Sequence, residues 1–521
     1  MNGIRHIKRI MTSLRMHTLV ALALTLALGA LAGCGGKADS GASSSPAPAA
    51  SGSDATTTPP QEANLPPLQL SMLVNFIGEP PQEGSDVEKM IEAYTNTDLQ
   101  VQWVSDLNRK RPVVIASGDM PKVLTAELKV PYMINAMRAG TFWDLTDYIQ
   151  DYPNLAKVNP LIYKNISLDG RTYGLPLVRP ISRFAITYRK DWADKLGLQE
   201  PQTLDDFYNM LKAFAKDDPD GNGKDDTYGI VEQKAISIIY RVALWLGAPN
   251  EWGVKDGKFY HMAETDEFLE ALKWVKKIYD EKLINSDFAV VEKTTANAMF
   301  TSGKAGMRIN ITDGAFKFGE ELKKNIPEGQ TDMFSRLPGL NGGVVDAENG
   351  TNGIFVFPKS SVKTEAELKQ VLTFFDKLGD ERMATLFRWG IEGEHYKLNN
   401  GKPEFIDEQA YTAQVTPYRK LMSVDDSNAL EGNLPPMLVK EAQLNEENQK
   451  YVVANPTEPL ISDTFSEKGS QLMKIIDDAK VKFVMGKIDE NGWKQALAQW
   501  RSSGGDKVAE EYAQSYAQTN P

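Results

Sequence analysis

"FAITYRKDWADKLGLQEPQTLDDFYNMLKAFAKDDPDGNGKDDTYG", Phe184 to Gly229, holds a strand, a helix and a loop in sequence. "FAITYR" (Phe184 to Arg189) is short and rich in aromatic and β-branched side chains, which predicts a strand. "TLDDFYNMLKAFAK" opens with Thr203 as N-cap and Asp206 at the third helical position, and aligns Leu204, Phe207, Leu211 and Phe214 on one face. "DDPDGNGKDDTYG" then crowds acidic residues and glycines together. Counted from Asp218, it sets oxygen-bearing side chains at Asp218, Asp220, Asn222 and Asp226, with Gly223 in sixth place and Lys224 able to offer its carbonyl. This is the first two-thirds of a calcium-loop pattern. The closing bidentate Glu is absent, because Gly229 holds the twelfth place.

Outward from this stretch the same alternation continues. "LQLSMLV" (Leu68 to Val74), "LQVQWV" (Leu99 to Val104), "KVLTAE" (Lys122 to Glu127) and "GIFVFP" (Gly353 to Pro358) read as strands. "VEKMIEAY" and "RKRPVVIASG" fill helical or connecting positions between them. Amphipathic helices begin at Thr265 and at Thr364, the latter with Glu367 completing a capping box and Gly379 as a stop. Short apolar runs alternating with amphipathic helices predict an α/β fold.

At 521 residues the chain exceeds one compact core, so two domains are expected. A net charge of −12 argues against nucleic acid as a partner. Arg5, Lys8, Arg9 and Arg15 precede an apolar run, Leu19 to Gly33, too short for a comfortable membrane span. That run ends in "LAGC", whose Cys34 is the only cysteine. Small residues before a cysteine are similar to the lipobox of bacterial lipoproteins. This implies a signal peptide over 1–33 and a lipidated Cys34, palmitate included; the alternative is an ordinary secretory peptide. Residues 34–67 carry almost nothing to bury and are expected to be a disordered tether. The protein is then expected on the outer face of the cell membrane.

Reactive chemistry is sparse. Beyond the signal only His261 and His395 remain, neither with the i,i+4 partner of a zinc helix. There is no G-x-S-x-G elbow and no Walker-type loop, and "GLNGG" (Gly339 to Gly343) reads as a plain loop. A carboxylate pair for glycoside hydrolysis stays open among 70 acids, so a surface-anchored polysaccharide-degrading enzyme is the alternative. Binding without turnover is the expectation, with no catalytic residue assigned.

The stretch from Tyr173 ("YGLPLVRPISRFAITYRKDWADKLGL…") through the acidic loop resembles the lipoprotein-type extracellular solute-binding proteins, family 1, of oligosaccharide ABC importers. Leu246 to Phe288, "MFTSGKAGMRINITDGAF" (Met299 to Phe316) and "GIEGEHYKLNNGKPEF" (Gly390 to Phe405) continue the match in order. The resemblance implies a periplasmic-binding-protein-like α/β fold, two lobes with a ligand cleft and several hinge crossovers. The first lobe would hold 68–178 and 353–402, the second 182–337 and 437–521, with crossovers near 175–186, 338–352 and 402–436. It implies an oligosaccharide ligand, permease subunits as partners, a monomer, and a structural Ca²⁺ held by Asp218, Asp220, Asn222, Lys224 and Asp226, with Asp225 able to replace Asp226. The same scaffold binding a peptide or other solute is a further alternative.

A sugar needs aromatic platforms and planar polar groups. Trp103, Trp245, Trp252, Phe316 and Trp389 lie near predicted strand ends or loops, and each has packing within a lobe as its alternative. Glu127, Arg183 and Asp313 are the polar candidates. The family often carries tryptophan in the "INITD" region, and none stands here. Arg179 and Arg183 near the cleft would favour a uronate through carboxylate recognition; the alternative for each is a solvated or ion-paired arginine.

Overall fold

The structure, a computed structural model, describes residues 66–76 and 78–519. The signal peptide, Cys34 and nearly all of the tether expected from the sequence lie outside the described residues. In chain order the strands are β1 (Leu68–Asn75), β2 (Thr97–Val104), β3 (Val123–Ala126), β4 (Leu175–Val178), β5 (Phe184–Arg189), β6 (Tyr228–Val231), β7 (Trp252–Lys255) and β8 (Lys258–His261). They continue with β9 (Ala305–Ile311), β10 (Thr331–Phe334), β11 (Val345–Asp346), β12 (Thr351–Val356), β13 (Tyr396–Asn399), β14 (Lys402–Phe405) and β15 (Val452–Val453).

Six of these strands pair two by two as β7–β8, β11–β15 and β13–β14, and the other nine form two separate sheets. The first runs β2-β1-β3-β12-β4, with β1 parallel to β2 and β3, and β12 antiparallel to both β3 and β4. The second runs β10-β5-β9-β6, with only β6 and β9 parallel. Central strands of helix-covered sheets are apolar on both faces, and β1 obeys this. Leu70, Met72 and Val74 enter one apolar cluster, while Leu73 enters another on the opposite face.

Each sheet has its own core. The first gathers Leu70, Leu175, Phe355, Leu372, Phe375 and Phe387; the second gathers Ile186, Phe207, Phe214, Trp245, Phe268, Phe334 and Trp493. The helix Leu204–Lys216 shows how sequence builds the second core. Thr203 Oγ1 accepts from Asp206 N at 3.1 Å, and Asp206 Oδ2 accepts from Thr203 N at 3.0 Å. The reciprocal cap satisfies amide groups that the helix leaves open, and Phe207, Leu211 and Phe214 are buried below it.

The chain crosses between the sheets at 179–183, from β4 to β5, and at 335–350, from β10 to β12. The third passage is narrower than 402–436. Val415, Tyr418, Leu421, Met422 and Val424 all pack in the first core, because their apolar side chains lie over the helix Glu381–Trp389. Beyond them the helix Pro436–Asn448 leans on the second body, where Met437 and Leu444 meet Ala185, Ala315 and Met333. The C-terminal part is not wholly with the second lobe. Ile461 joins Leu73, Leu124, Met133 and Ile354 beneath the first sheet.

Candidate functional site

The crossovers are fastened to one another. Arg179 N donates to Gly350 O at 2.8 Å and Glu348 N to Ile181 O at 2.6 Å. Arg183 adds a side-chain strut, its Nη2 lying 2.8 Å from Glu348 Oε2. Gly350 has φ +79°, and a Cβ there would stand 2.5 Å from Ile162 of the first body and 2.9 Å from Ile181 of the other crossover, so glycine lets the crossovers close up. Asn250 Nδ2 bridges further out, donating to Ala347 O at 2.8 Å and Val453 O at 2.9 Å beside the short parallel β11–β15 pair.

Against these crossovers opens a cavity of about 760 Å³. Its walls come from three sources: Ile162, Leu177, Arg419 and Lys420 of the first body, Arg179 to Ile181 of the crossover, and Leu438, Glu441 and Asn445 of the helix Pro436–Asn448. That helix buries only Asn448, so most of its surface is left for the cavity and solvent. The volume suits a small saccharide or another ligand of that size.

Charge in the cavity is unevenly matched. Asp426 pairs with both Arg388, at 2.9 Å, and Arg419, at 3.1 Å. Burial works to raise the Asp426 carboxyl, yet Arg419 and Arg388 hold it below its ordinary range. Arg179 and Lys420 are different: among the described residues neither side chain has a hydrogen bond or an ion pair. Burial and then the neighbouring Arg179 and Arg419 lower the Lys420 ammonium, and burial and Arg183 lower Arg179. Across from them, burial and then Asp313 push Glu441 up to about 7, against Lys317 and Arg183. Glu348 and Asp313 oppose the lowering at Arg179 without pairing with it, so two half-buried cations face the cavity with no carboxylate bonded to either among the described residues.

None of the eight side chains expected to touch ligand lines this cavity. Trp245 is 1% exposed and meets Phe184 and Phe207 edge-on; it is core. Trp252 is packed against Trp500 and Tyr512 in the second core. Trp389 is fully buried and donates its Nε1 hydrogen to Leu430 O at 2.9 Å. These three rings are corrections to the expectation: Trp245 and Trp389 lie in the helices Ile238–Leu246 and Glu381–Trp389, Trp252 opens β7, and all three turn into the cores. Glu127 follows β3 and faces Arg111 at 3.7 Å. Arg183 is spoken for by Glu348. Asp313 and Phe316 lie in the helix Thr312–Asn325, not in a loop, Asp313 in its first turn. The Trp103 ring stands edge-on to Tyr418, 5.9 Å between centroids, in the segment that carries Arg419 and Lys420. Arg179 was legible in the sequence; Lys420, Arg419, Asp426 and Glu441 were not. The basic pair in "YRKL" beside the acidic "VDDSN" was the one available signal.

The acidic loop folds around an amide. Asn222 Nδ2 lies 2.8 Å from Asp220 Oδ2 and 3.1 Å from Asp226 Oδ1, while Asp218 accepts from the amides of Asn222 and Gly223. Asp225 turns away to Lys216 at 3.2 Å, which takes it out of the set. The donor set is all oxygen, the chemistry of a hard divalent cation, and two carboxylates share one partly positive nitrogen. Among the described residues no three or more His, Cys, Asp or Glu side chains converge as metal ligands.

Two cores joined by fastened crossovers, with a charged cavity against them, define a protein that captures a ligand between lobes. The chain belongs to the bacterial extracellular solute-binding protein family, whose model matches residues 78–383. It is 37% identical over 459 residues to the polygalacturonan/rhamnogalacturonan-binding protein YtcQ of Bacillus subtilis (strain 168), covering 86% of this chain and 91% of that one. It is 37% identical over 460 residues to lipoprotein LipO of the same organism, covering 84% and 90%. Among solved structures, alginate-binding protein AlgQ2 without calcium ion superposes with a TM-score of 0.61 at 20% identity, over 87% of this chain and 98% of that one. A solute-binding protein from Bifidobacterium longum infantis, described as HMO-binding, gives 0.65 at 20% identity over 87% and 99%. The last two likenesses concern the fold. The family is one of solute-binding proteins, and YtcQ is named as a binding protein.

Proposed function

We propose that this protein captures a uronate-containing oligosaccharide in the cavity at its crossovers and passes it, unreacted, to the permease of an ABC importer. The observation that carries this reading is the pair Arg179 and Lys420, cations that face one cavity with no carboxylate bonded to either side chain among the described residues. A carboxylate bound there regains the charge compensation that burial denies both groups. The relative YtcQ, a polygalacturonan/rhamnogalacturonan-binding protein, supports the same ligand class. Lipid attachment at Cys34 would tether the body to the outer face of the membrane, in keeping with the lipoprotein relative. A calcium ion held by Asp218, Asp220, Asn222, Asp226 and the Lys224 carbonyl would brace the surface turn.

Calorimetry with trigalacturonate, maltotriose and a tripeptide tests the ligand class. Heat with the uronide alone is the expected result. Binding of the neutral sugar or the peptide with no response to the uronide overturns the reading. Reducing-sugar release from pectate on incubation would overturn the claim that the ligand leaves unreacted.

A further inference from the structure

Lys420 and Thr416 line not one hollow but two. Beyond them a second hollow of about 800 Å³ runs along the first body, walled by Phe76, Pro80, Pro81, Glu79 and Glu394. Its character differs from the first. Phe76 is half-buried, its ring held edge-on by Trp103 at 5.5 Å, and Trp103 is held in turn by Tyr418. A ring braced in this way is a rigid apolar platform, and the prolines beside it add little conformational freedom. The charge is reversed as well. Glu79, Asp86 and Glu394 line this hollow, Asp86 already paired with Lys89 at 3.0 Å, and Lys420 at the shared boundary is its one cationic lining residue.

We infer that the two hollows form one extended cleft that selects an oligosaccharide in which a uronate neighbours a neutral sugar. The uronate lies between Arg179 and Lys420, and the neutral sugar sets its C–H face on Phe76. Its hydroxyls donate to Glu79 and Glu394. A second uronate at that place would bring its carboxylate beside the exposed carboxylates of Glu79 and Glu394, and like charges repel. The inference rests on the uronide reading above and sharpens it from a charge class to an order of sugars.

Calorimetry on the full chain compares digalacturonate, tetragalacturonate and a tetrasaccharide alternating galacturonate with rhamnose. The alternating ligand is expected to bind at least about tenfold tighter than tetragalacturonate. Phe76→Ala should remove that margin and leave digalacturonate, which the first hollow can hold alone, unchanged. Glu394→Lys, at an exposed position where no packing is lost, should raise tetragalacturonate affinity instead. Equal or weaker binding of the alternating ligand, an equal loss for all three ligands in Phe76→Ala, or no gain in Glu394→Lys overturns the two-compartment cleft. Failure of all three ligands to bind is a separate result, which overturns the uronide reading itself.

Discussion

Arg179 and Lys420 gain only when an anion arrives, so their removal should be felt by acidic ligands alone. Arg179→Ala or Lys420→Met deletes a charge-assisted hydrogen bond, worth about 1.5–3 kcal/mol, and should raise Kd for a uronide about ten- to a hundredfold. Circular dichroism should show the variants folded, because neither side chain bonds to another described residue. Glu441 makes the same cavity sensitive to pH. Its carboxyl, pushed up to about 7, is neutral below that value and negative above it. Uronide affinity should therefore fall as pH rises through about 7, and Glu441→Gln should flatten the profile. A pH series of titrations on the two proteins checks both the sign and the residue.

At the scale of elements, local rules predict well wherever a short segment satisfies itself. The Thr203 cap and the strand from Phe184 depend on neighbours in sequence, and both form where the pattern places them. Thr203→Ala should cost about 1 kcal/mol in denaturant unfolding, since it strips the reciprocal cap from an otherwise intact helix. The acidic loop after that helix is also local. Removing divalent cations with EDTA should lower Tm, and Asp220→Ala should make Tm indifferent to the chelator. An unchanged Tm in the parent protein would count against an ion in this turn. The segment 402–424 was less legible. Its hairpin and 3-10 turn carry few periodic apolar residues, and only burial of Tyr418 and Leu421 against the first core assigns them to that lobe.

For the whole molecule the question is how two cores move around one ligand. Closure is a shift toward whichever arrangement lets both walls touch the guest, and only differential contact can drive it. Small-angle scattering should show a smaller radius of gyration when a uronide is added, and no change for a protein carrying both Arg179→Ala and Lys420→Met. Asn250 holds two passages of chain through a single amide. Asn250→Ala leaves the carbonyls of Ala347 and Val453 without that donor, and a loss of about 1–3 kcal/mol in stability is expected, read by denaturant midpoint.

Period and capping in the sequence by themselves determined the α/β class, the five strands looked for and the capped helices, because each depends on contacts a few residues apart. What they left undecided was which exposed-looking side chains face a ligand. Trp245, Trp252 and Trp389 read as platforms in one dimension, yet the cores needed their area and took them. Arg179 and Lys420 are 241 positions apart, counting from 179 to 420, and carry no pattern that joins them. Only the folded chain, by bringing a crossover and a distant turn to the same cavity while pairing Arg183 with Glu348 and Arg419 with Asp426, leaves those two cations without a bonded partner among the described residues.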